Sequence, residues 1–198
     1  MRKIFLFLEA MIKLIPYSIF VDIKITSMKP IAITKRLKIR KFVLADAKFI
    51  VKLVNQPDWI KHIGERNIRT QADAIKYLKF GPLAMYENHG FGLFGVERLS
   101  DGELLGMCGL LKRDVLDDMD IGFAFLAEYY GHGYAIEAAQ AVINFAKNVL
   151  KVSRLAAVVN PDNTRSIKLL IKAGFVHQYQ MRLTPDAISP VNLMLVEF

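Results

Sequence analysis

Residues 128–135 read Glu128-Tyr129-Tyr130-Gly131-His132-Gly133-Tyr134-Ala135. An apolar run over residues 119–126 precedes them and predicts a strand, and apolar residues at helical spacing follow them. A helix N-terminus presents unpaired N–H groups and a positive dipole end, and glycines just before it let the backbone approach a ligand. We expect a phosphate site here, although a plain strand-to-helix turn would use the same residues. The apolar helical positions are Ala135, Ala138, Ala139, Val142, Ala146 and Val149.

The chain after this helix predicts three strands and one helix. Asn163 is a suitable N-cap for the helix, and Gly174 a suitable C-terminal cap. The predicted helix covers residues 163–173, and the strands cover residues 155–159, 175–183 and 191–198.

The chain before residue 119 predicts strands and short helices. Thr70 and Asp73 form a pattern typical of a capping box, and Ser100-Asp101-Gly102 is a strong hairpin signal. Pro57 ends the first helical pattern. The predicted strands cover residues 36–42, 91–98 and 103–112, and the helical patterns begin near Asp46, Trp59 and Thr70.

The order of elements predicts an α+β fold, with a single mixed, mostly antiparallel central sheet flanked by helices. We assign residues 35–198 to one domain. Residues 1–27 form an N-terminal extension, with a positive start and an apolar stretch that Glu9 and Lys13 interrupt. This extension is a packed helix, an interfacial anchor, or a segment foreign to the natural protein, which would then start at Met28.

Composition narrows the class of ligand. The chain has 198 residues and a net charge of +8, which fits a polyphosphate cofactor, an anionic membrane or simple solubility. Without a run of consecutive basic residues, no nucleic-acid arm is indicated. Cys108 is the single cysteine and is predicted to be a buried core thiol. The four histidines lack metal-ligand spacing, so we predict no metal.

Two blocks resemble the GCN5-related N-acetyltransferase superfamily over roughly residues 35–198. The superfamily's pyrophosphate loop has the pattern Gln/Arg-x-x-Gly-x-Gly/Ala, and here Tyr130 stands at the first position, Gly133 at the glycine and Ala135 at the last. Residues 131–138 also resemble the branch that acetylates ribosomal proteins and small amines. The second block runs from Asn160 to Phe175 and resembles the family's helix along coenzyme A.

The resemblance implies a set of cofactor contacts. Asn163 and Ser166 would lie along the pantetheine arm, and Phe125 and Leu126 would contact it from the preceding strand. A backbone N–H among residues 123–126 would polarise the thioester carbonyl. The phosphates would lie at Gly131, His132, Gly133, Tyr134 and Ala135.

The same resemblance implies an acetyl-CoA-dependent N-acetyltransferase whose acceptor is a protein N-terminal or small-molecule primary amine. Asp120 stands where many relatives carry the base Glu, and a carboxylate there can take the amine proton directly or through water. Leu170 stands where many relatives carry a Tyr that serves as the general acid, and Tyr134 and Tyr179 are candidate substitutes for that acid. This replacement motivates an alternative, a catalytically weak coenzyme A-binding module.

The resemblance also sets the expected surroundings of the protein. We expect a cytoplasmic enzyme whose partners are acetyl-CoA and an amine, with no nucleic acid and no membrane association. Residues 59–69 and 182–190 would shape the acceptor site. The oligomeric state is open.

Overall fold

The computed structural model describes residues 29–184, 187 and 189–198. They form one eight-stranded sheet with the order β1-β2-β3-β4-β5-β6-β8-β7. Neighbouring strands are antiparallel except β5 and β6, which are parallel. The predicted mixed, mostly antiparallel sheet is confirmed. The strands are β1 (Ala32–Ile33), β2 (Leu37–Arg40), β3 (Leu93–Arg98), β4 (Leu104–Leu111), β5 (Asp120–Phe125), β6 (Arg154–Val159), β7 (Val176–Met181) and β8 (Val191–Glu197).

Six helices flank the sheet and enclose two main hydrophobic cores. One core contains side chains of α5 and α6, and the other contains side chains of α1, α2 and α3. The long helix α5 packs against β2, β4 and β5, so its N-terminus is fixed relative to the sheet. The helices are α1 (Ala47–Val54), α2 (Pro57–His62), α3 (Gln71–Leu78), α4 (Ala84–His89), α5 (Tyr134–Asn148) and α6 (Thr164–Lys172).

Most predicted elements lie within two residues of the observed ones. The predicted Thr70–Asp73 capping box is confirmed: Asp73 N donates to Thr70 Oγ1 over 3.2 Å, and Thr70 N donates to Asp73 Oδ2 over 3.0 Å. The predicted hairpin turn joins β3 to β4, with Arg98 N donating to Glu103 O. Local spacing was sufficient here because caps and tight turns are made by residues close in sequence.

Three features differ from the sequence prediction, and one of them is helix α4, which no predicted element covers. The short strand β1 precedes the predicted first strand, which is β2. The wide helical turn Lys79–Leu83 joins α3 to α4, although Gly81-Pro82 interrupts the helical pattern there. Proline removes an N–H donor, and a wider turn accommodates that loss without ending the helix. The predicted extension, residues 1–27, lies outside the described residues.

The feature that positions the site is the divergence of β5 and β6. Asp120 pairs with Ala156, and no further pair of these strands forms among the described residues. Each strand is paired along its other side, β5 with β4 and β6 with β8. A wedge-shaped gap therefore opens within the sheet.

The backbone of β5 has donors on the side of this gap. Leu126 N donates to Leu105 O over 3.0 Å, towards β4. Because successive residues of a strand direct their N–H groups to opposite edges, the N–H groups of Phe123 and Phe125 are directed towards the gap.

Candidate active site

A cavity of about 420 Å³ extends from the gap between β5 and β6. Its walls come from these two strands and from side chains of α2, α3 and α6. The volume lies within the range typical of small-molecule sites. Five of the residues predicted for the site line this cavity: Asp120, Phe125, Ala135, Asn163 and Ser166.

The other predicted cofactor residues lie away from the cavity wall. Leu126 is buried in the core formed with α1 to α3, and its N–H is bonded to Leu105 O. Gly131, His132 and Gly133 form an exposed turn beside the cavity. Tyr134 packs beneath this turn, with its ring 4.5 Å from the guanidinium carbon of Arg36. The turn and the cavity are joined by Tyr130 and Ala135, which line the cavity.

The glycine turn has the backbone conformation that its sequence predicts. Gly131 and Gly133 have φ values of +80° and +78°, a region that residues with a Cβ rarely adopt. Gly133 is the N-cap of α5, and the first intrahelical hydrogen bond runs from Glu137 N to Gly133 O. The N–H groups of residues 133–136 precede that bond and so have no carbonyl partner within the helix. This end of α5 can therefore accept an anion.

Arg36 holds the glycine turn in place through contacts with the turn and with α5. Its Nη1 donates to His132 O over 2.9 Å, and its Nε donates to Glu137 Oε2 over 2.7 Å. Thr34 Oγ1 also donates to Glu137, over 2.6 Å. Burial opposes ionisation of Glu137, but these hydrogen bonds outweigh it and lower the pKa of its carboxyl group. The turn is thus fixed by contacts with Arg36 and by the pairing of Arg36 with Glu137.

Asn163 serves as the N-cap of α6, as its sequence context predicts. Its Oδ1 accepts a hydrogen bond of 3.1 Å from Ser166 N. Its Nδ2 has no hydrogen bond to another described residue, and Asn163 lines the cavity. One side chain can therefore cap the helix and still donate to a ligand.

Replacing Asn163 with Ala is expected to cost about 1 kcal/mol of folding free energy, because the cap is lost. Asn163→Asp is the matched control for the cap, since it keeps the cap oxygen and replaces the amide donor with a carboxylate. If Nδ2 binds the cofactor, the KM for acetyl-CoA rises in both variants while thermal unfolding shifts only in the Ala variant. Equal melting temperatures for Ala and Asp would contradict the capping role.

Asp120 lies at the closed end of the gap, on the cavity wall. Its side chain is only 1% exposed, and Arg113 Nε donates to both of its carboxylate oxygens over 3.0 Å. Burial raises the pKa of this carboxyl group, and the nearby guanidinium only partly offsets the shift. A carboxylate with a raised pKa is a better proton acceptor than an ordinary Asp.

Leu170 occupies the predicted position of the missing acid. It is 2% exposed and lines the cavity, where it offers no proton donor. Neither candidate substitute, Tyr134 or Tyr179, lines the cavity; Tyr179 is 58% exposed on the edge strand β7.

A cluster that the sequence did not predict lies at the rim of the cavity. Arg165 Nη1 donates to Asp58 Oδ2 over 2.9 Å, and its guanidinium lies 4.1 Å from the centre of the Tyr130 ring. These contacts join α2, α6 and the start of the glycine turn. Because both charged side chains are substantially exposed, the ion pair contributes only about 0–1 kcal/mol.

The wall formed by α2 contains two polar atoms without a partner. Trp59 Nε1 and His62 Nδ1 are buried and have no hydrogen bond to another described residue. Both residues line the cavity. The Trp59 ring also belongs to the core with α1 to α3. Buried unpaired polar atoms are rare, and they are often found at functional sites.

Other sequence predictions concern residues away from the cavity. Cys108 is fully buried, as predicted, and burial raises the pKa of its thiol. Within residues 29–184, 187 and 189–198, no group of three or more His, Cys, Asp or Glu side chains could hold a metal ion. In that same part of the chain, no helix is long and apolar enough to cross a membrane. Part of the predicted acceptor loop 182–190 lies outside the described residues.

The cavity thus combines a gap between two strands, an anion-binding helix N-terminus beside it and a buried carboxylate at its closed end. The family described as the acetyltransferase (GNAT) domain matches residues 36–176. The chain belongs to the GNAT acetyltransferase family. It is therefore an N-acetyltransferase, and the family generally uses acetyl-CoA as its co-substrate.

Individual GNAT relatives are similar over most of their length. The chain is 29% identical to the uncharacterized N-acetyltransferase YoaA of Bacillus subtilis, over 78% of this chain and 88% of the relative. A GNAT acetyltransferase structure from Bacillus anthracis has a TM-score of 0.68 at 24% identity, covering 86% of this chain and 97% of that one. The ribosomal-protein-S5-alanine acetyltransferase of Vibrio fischeri has a TM-score of 0.70 at 19% identity, covering 84% and 95%. The structural similarities show a shared fold.

Sequence reasoning missed the side chains that support the predicted residues in this GNAT site. Arg36 is 101 residues from Glu137, and Arg165 is 107 residues from Asp58. Only the folded sheet brings these partners together. Arg113 is seven residues from Asp120, but it lies in the connection between two strands, where neither helical nor strand periodicity predicts the direction of a side chain.

Proposed function

We propose that this GNAT protein transfers an acetyl group from acetyl-CoA to a primary amine, either a protein N-terminal amine or a small-molecule amine. The observation that carries the proposal is a continuous cavity that joins the strand gap to a buried carboxylate, with the N-terminus of α5 beside it. The amine attacks the thioester directly while both substrates are bound.

The residues present suit the pyrophosphate and the pantetheine arm of acetyl-CoA. The phosphates bind the N–H groups at residues 131–136, where the helix dipole favours negative charge. The pantetheine arm enters the gap and pairs with the N–H groups of Phe123 and Phe125, as an added strand would. Asn163 Nδ2 and Ser166 contact the arm from the β6 side of the gap.

The reaction forms a C–N bond and breaks a C–S bond. The amine nitrogen attacks the acetyl carbonyl carbon, and negative charge develops on the carbonyl oxygen. A backbone N–H of β5 directed into the gap stabilises that charge, as in an oxyanion hole. The coenzyme thiolate then leaves, and the nitrogen loses a proton to become a neutral amide.

Asp120 accepts the proton from the amine. A free α-amine has a pKa near ~8 and is partly protonated at neutral pH, so a base is needed. The Asp side chain is shorter than the Glu side chain of many relatives, which favours transfer through a bridging water. The leaving thiolate needs no acid at Leu170, because thiols have a pKa of about 8.5 and are tolerable leaving groups near neutral pH.

A coenzyme A-binding module with little turnover is the second candidate, and the buried Leu170 favours it. Coenzyme release from acetyl-CoA, measured with a thiol reagent across a panel of primary amines, separates the two. We expect amine-dependent release with at least one member of the panel. Tight binding of coenzyme A with no amine-dependent release across peptides and small amines would favour the second candidate.

A further inference from the structure

We propose that Arg113 links the base to recognition of the acceptor: its Nε holds Asp120, and its terminal Nη groups bind an oxygen of the acceptor beside the amine. The proposal rests on the proposed function, and it identifies the acceptor class as an α-amino acyl unit. Such a unit carries its amine and a carbonyl or carboxylate oxygen on neighbouring carbon atoms.

The hydrogen bonds of Arg113 leave the two terminal Nη groups of its guanidinium available. A guanidinium has five N–H donors in a fixed plane. Nε is shared between the two oxygens of Asp120 at 3.0 Å, and neither Nη group has a hydrogen bond to another described residue. The Arg113 side chain is 35% exposed and lines the cavity. The planar fork suits an oxygen acceptor placed next to the base.

The charges around the cavity favour such an acceptor over a polycation. Five charged residues line it, namely Asp58, Asp120, Arg66, Arg113 and Arg165. Both carboxylates already have an arginine partner, Arg165 for Asp58 and Arg113 for Asp120. Arg66 has no ion pair with a described residue. Among the charged side chains that the structure describes at this cavity, a polyamine would find no unpaired carboxylate, whereas an oxygen-bearing acceptor finds donors.

The remaining wall predicts the side chain of the acceptor. This wall is largely apolar. It also contains Trp59 Nε1, a buried donor without a hydrogen bond, which an additional oxygen atom of the amine substrate could satisfy. An acceptor with an apolar side chain therefore fits. The apolar residues that line the cavity in or shortly after α2 and α3 are Ile63, Tyr77, Pro82 and Met85.

The test compares two amines that differ only in the oxygen-bearing group, L-leucinamide and 3-methylbutan-1-amine. For each enzyme we take the ratio of kcat/KM for leucinamide to kcat/KM for the alkylamine. Dividing the ratio of a variant by that of the wild type cancels the different basicities of the two amines. It also cancels any general loss of turnover caused by disturbing Asp120.

Arg113→Gln is expected to lower this ratio by about 10- to 100-fold, because a site built for an oxygen discriminates through the donor that would otherwise be unpaired. Arg113→Lys, which keeps the charge but loses the paired Nη donors, should give a ratio between those of Arg113→Gln and the wild type. An unchanged ratio in Arg113→Gln overturns the proposal. Leucine and a leucyl dipeptide, run as further arms, tell whether a carboxylate or a peptide carbonyl is preferred.

A binding measurement separates this inference from the proposed function. Trp59 is the only tryptophan of the chain and lines the cavity, so its fluorescence reports on acceptor binding. If no amine is acetylated but leucinamide binds at least ten-fold more tightly than 3-methylbutan-1-amine, and Arg113→Gln removes that difference, the subsite stands and the proposed function fails. Equal affinities of the two ligands for the wild type overturn the subsite.

Discussion

Replacing Asp120 with Asn is expected to lower kcat by about 10²- to 10⁴-fold, the usual contribution of a positioned general base. The amide has nearly the same shape as the carboxyl group but cannot accept the amine proton. Coenzyme A binding should stay within about two-fold of the wild type, because Asp120 lies at the closed end of the gap and is not among the residues proposed to bind the cofactor. Steady-state kinetics and calorimetric titration with coenzyme A measure the two effects.

The pH profile gives the sign of this effect. Only ionised Asp120 can take a proton, so kcat/KM rises as the pH increases through the pKa of this carboxyl group. Burial raises that pKa, so the acid limb lies above the ordinary value of about 3.9. This limb should disappear in Asp120→Asn, whereas a limb that reflects deprotonation of the acceptor remains.

Asp118→Asn is the matched control for this prediction. Asp118 is two residues away and also pairs with an arginine, since Arg154 Nε donates to it over 2.9 Å. It does not line the cavity. We expect its kcat to stay within about two-fold of the wild type. A similar loss in both variants, or a wild-type pH profile in Asp120→Asn, would show that Asp120 is not the base.

Replacing Gly131 with Asp is expected to raise the KM for acetyl-CoA by about ten-fold or more. An ideal Cβ at Gly131 meets no atom within 4 Å, so there is room for a side chain. The new carboxylate would lie where the phosphates are proposed to bind. Repulsion of about 1.4 kcal/mol, modest for like charges a few ångströms apart, corresponds to a ten-fold loss of affinity.

Gly131→Asn is the control that isolates the charge. Asn and Asp have similar shapes, and both tolerate a positive φ better than other residues with a Cβ, so any backbone strain is shared. High salt should reduce the difference between the variants, since it screens exposed charges. Equal KM values for acetyl-CoA in the Asp and Asn variants at low salt would argue against a phosphate site at this turn.

The sequence predicted those parts of the fold that depend on neighbouring residues. The helix after the glycine turn, the capping box at Thr70 and the hairpin at Gly102 each follow from local spacing. The wide turn through Pro82 was missed because proline usually ends a helical pattern, and here the surrounding helices keep the chain coiled. The divergence of β5 and β6 is a non-local property of two strands, and their own residues carry no signal for it.

The residues of the candidate site were predictable to a similar extent: those in a local motif could be predicted, and their distant partners could not. Residues that belong to a recognisable motif, such as Asp120, Asn163 and Ala135, were predictable from the sequence, and they line the cavity. Their supports were not, because the direction of Arg113 and the pairing of Arg36 with Glu137 depend on how distant segments meet. Leu126 shows the opposite limit: it follows the cavity residue Phe125 directly, yet its side chain is buried in the core with α1 to α3.

The single backbone pair between β5 and β6 makes Ala156 the pivot of the whole cleft. Strands β1 to β5 lie on one side of this pair, and β6, β8 and β7 lie on the other. Ala156, which is only 1% exposed, lies where these two parts of the sheet meet. Its side chain projects from one face of the sheet and packs with Leu116 and Leu193. A larger side chain there would displace these residues at the join, so the position of Asp120 relative to β6 depends on a residue with no chemistry of its own.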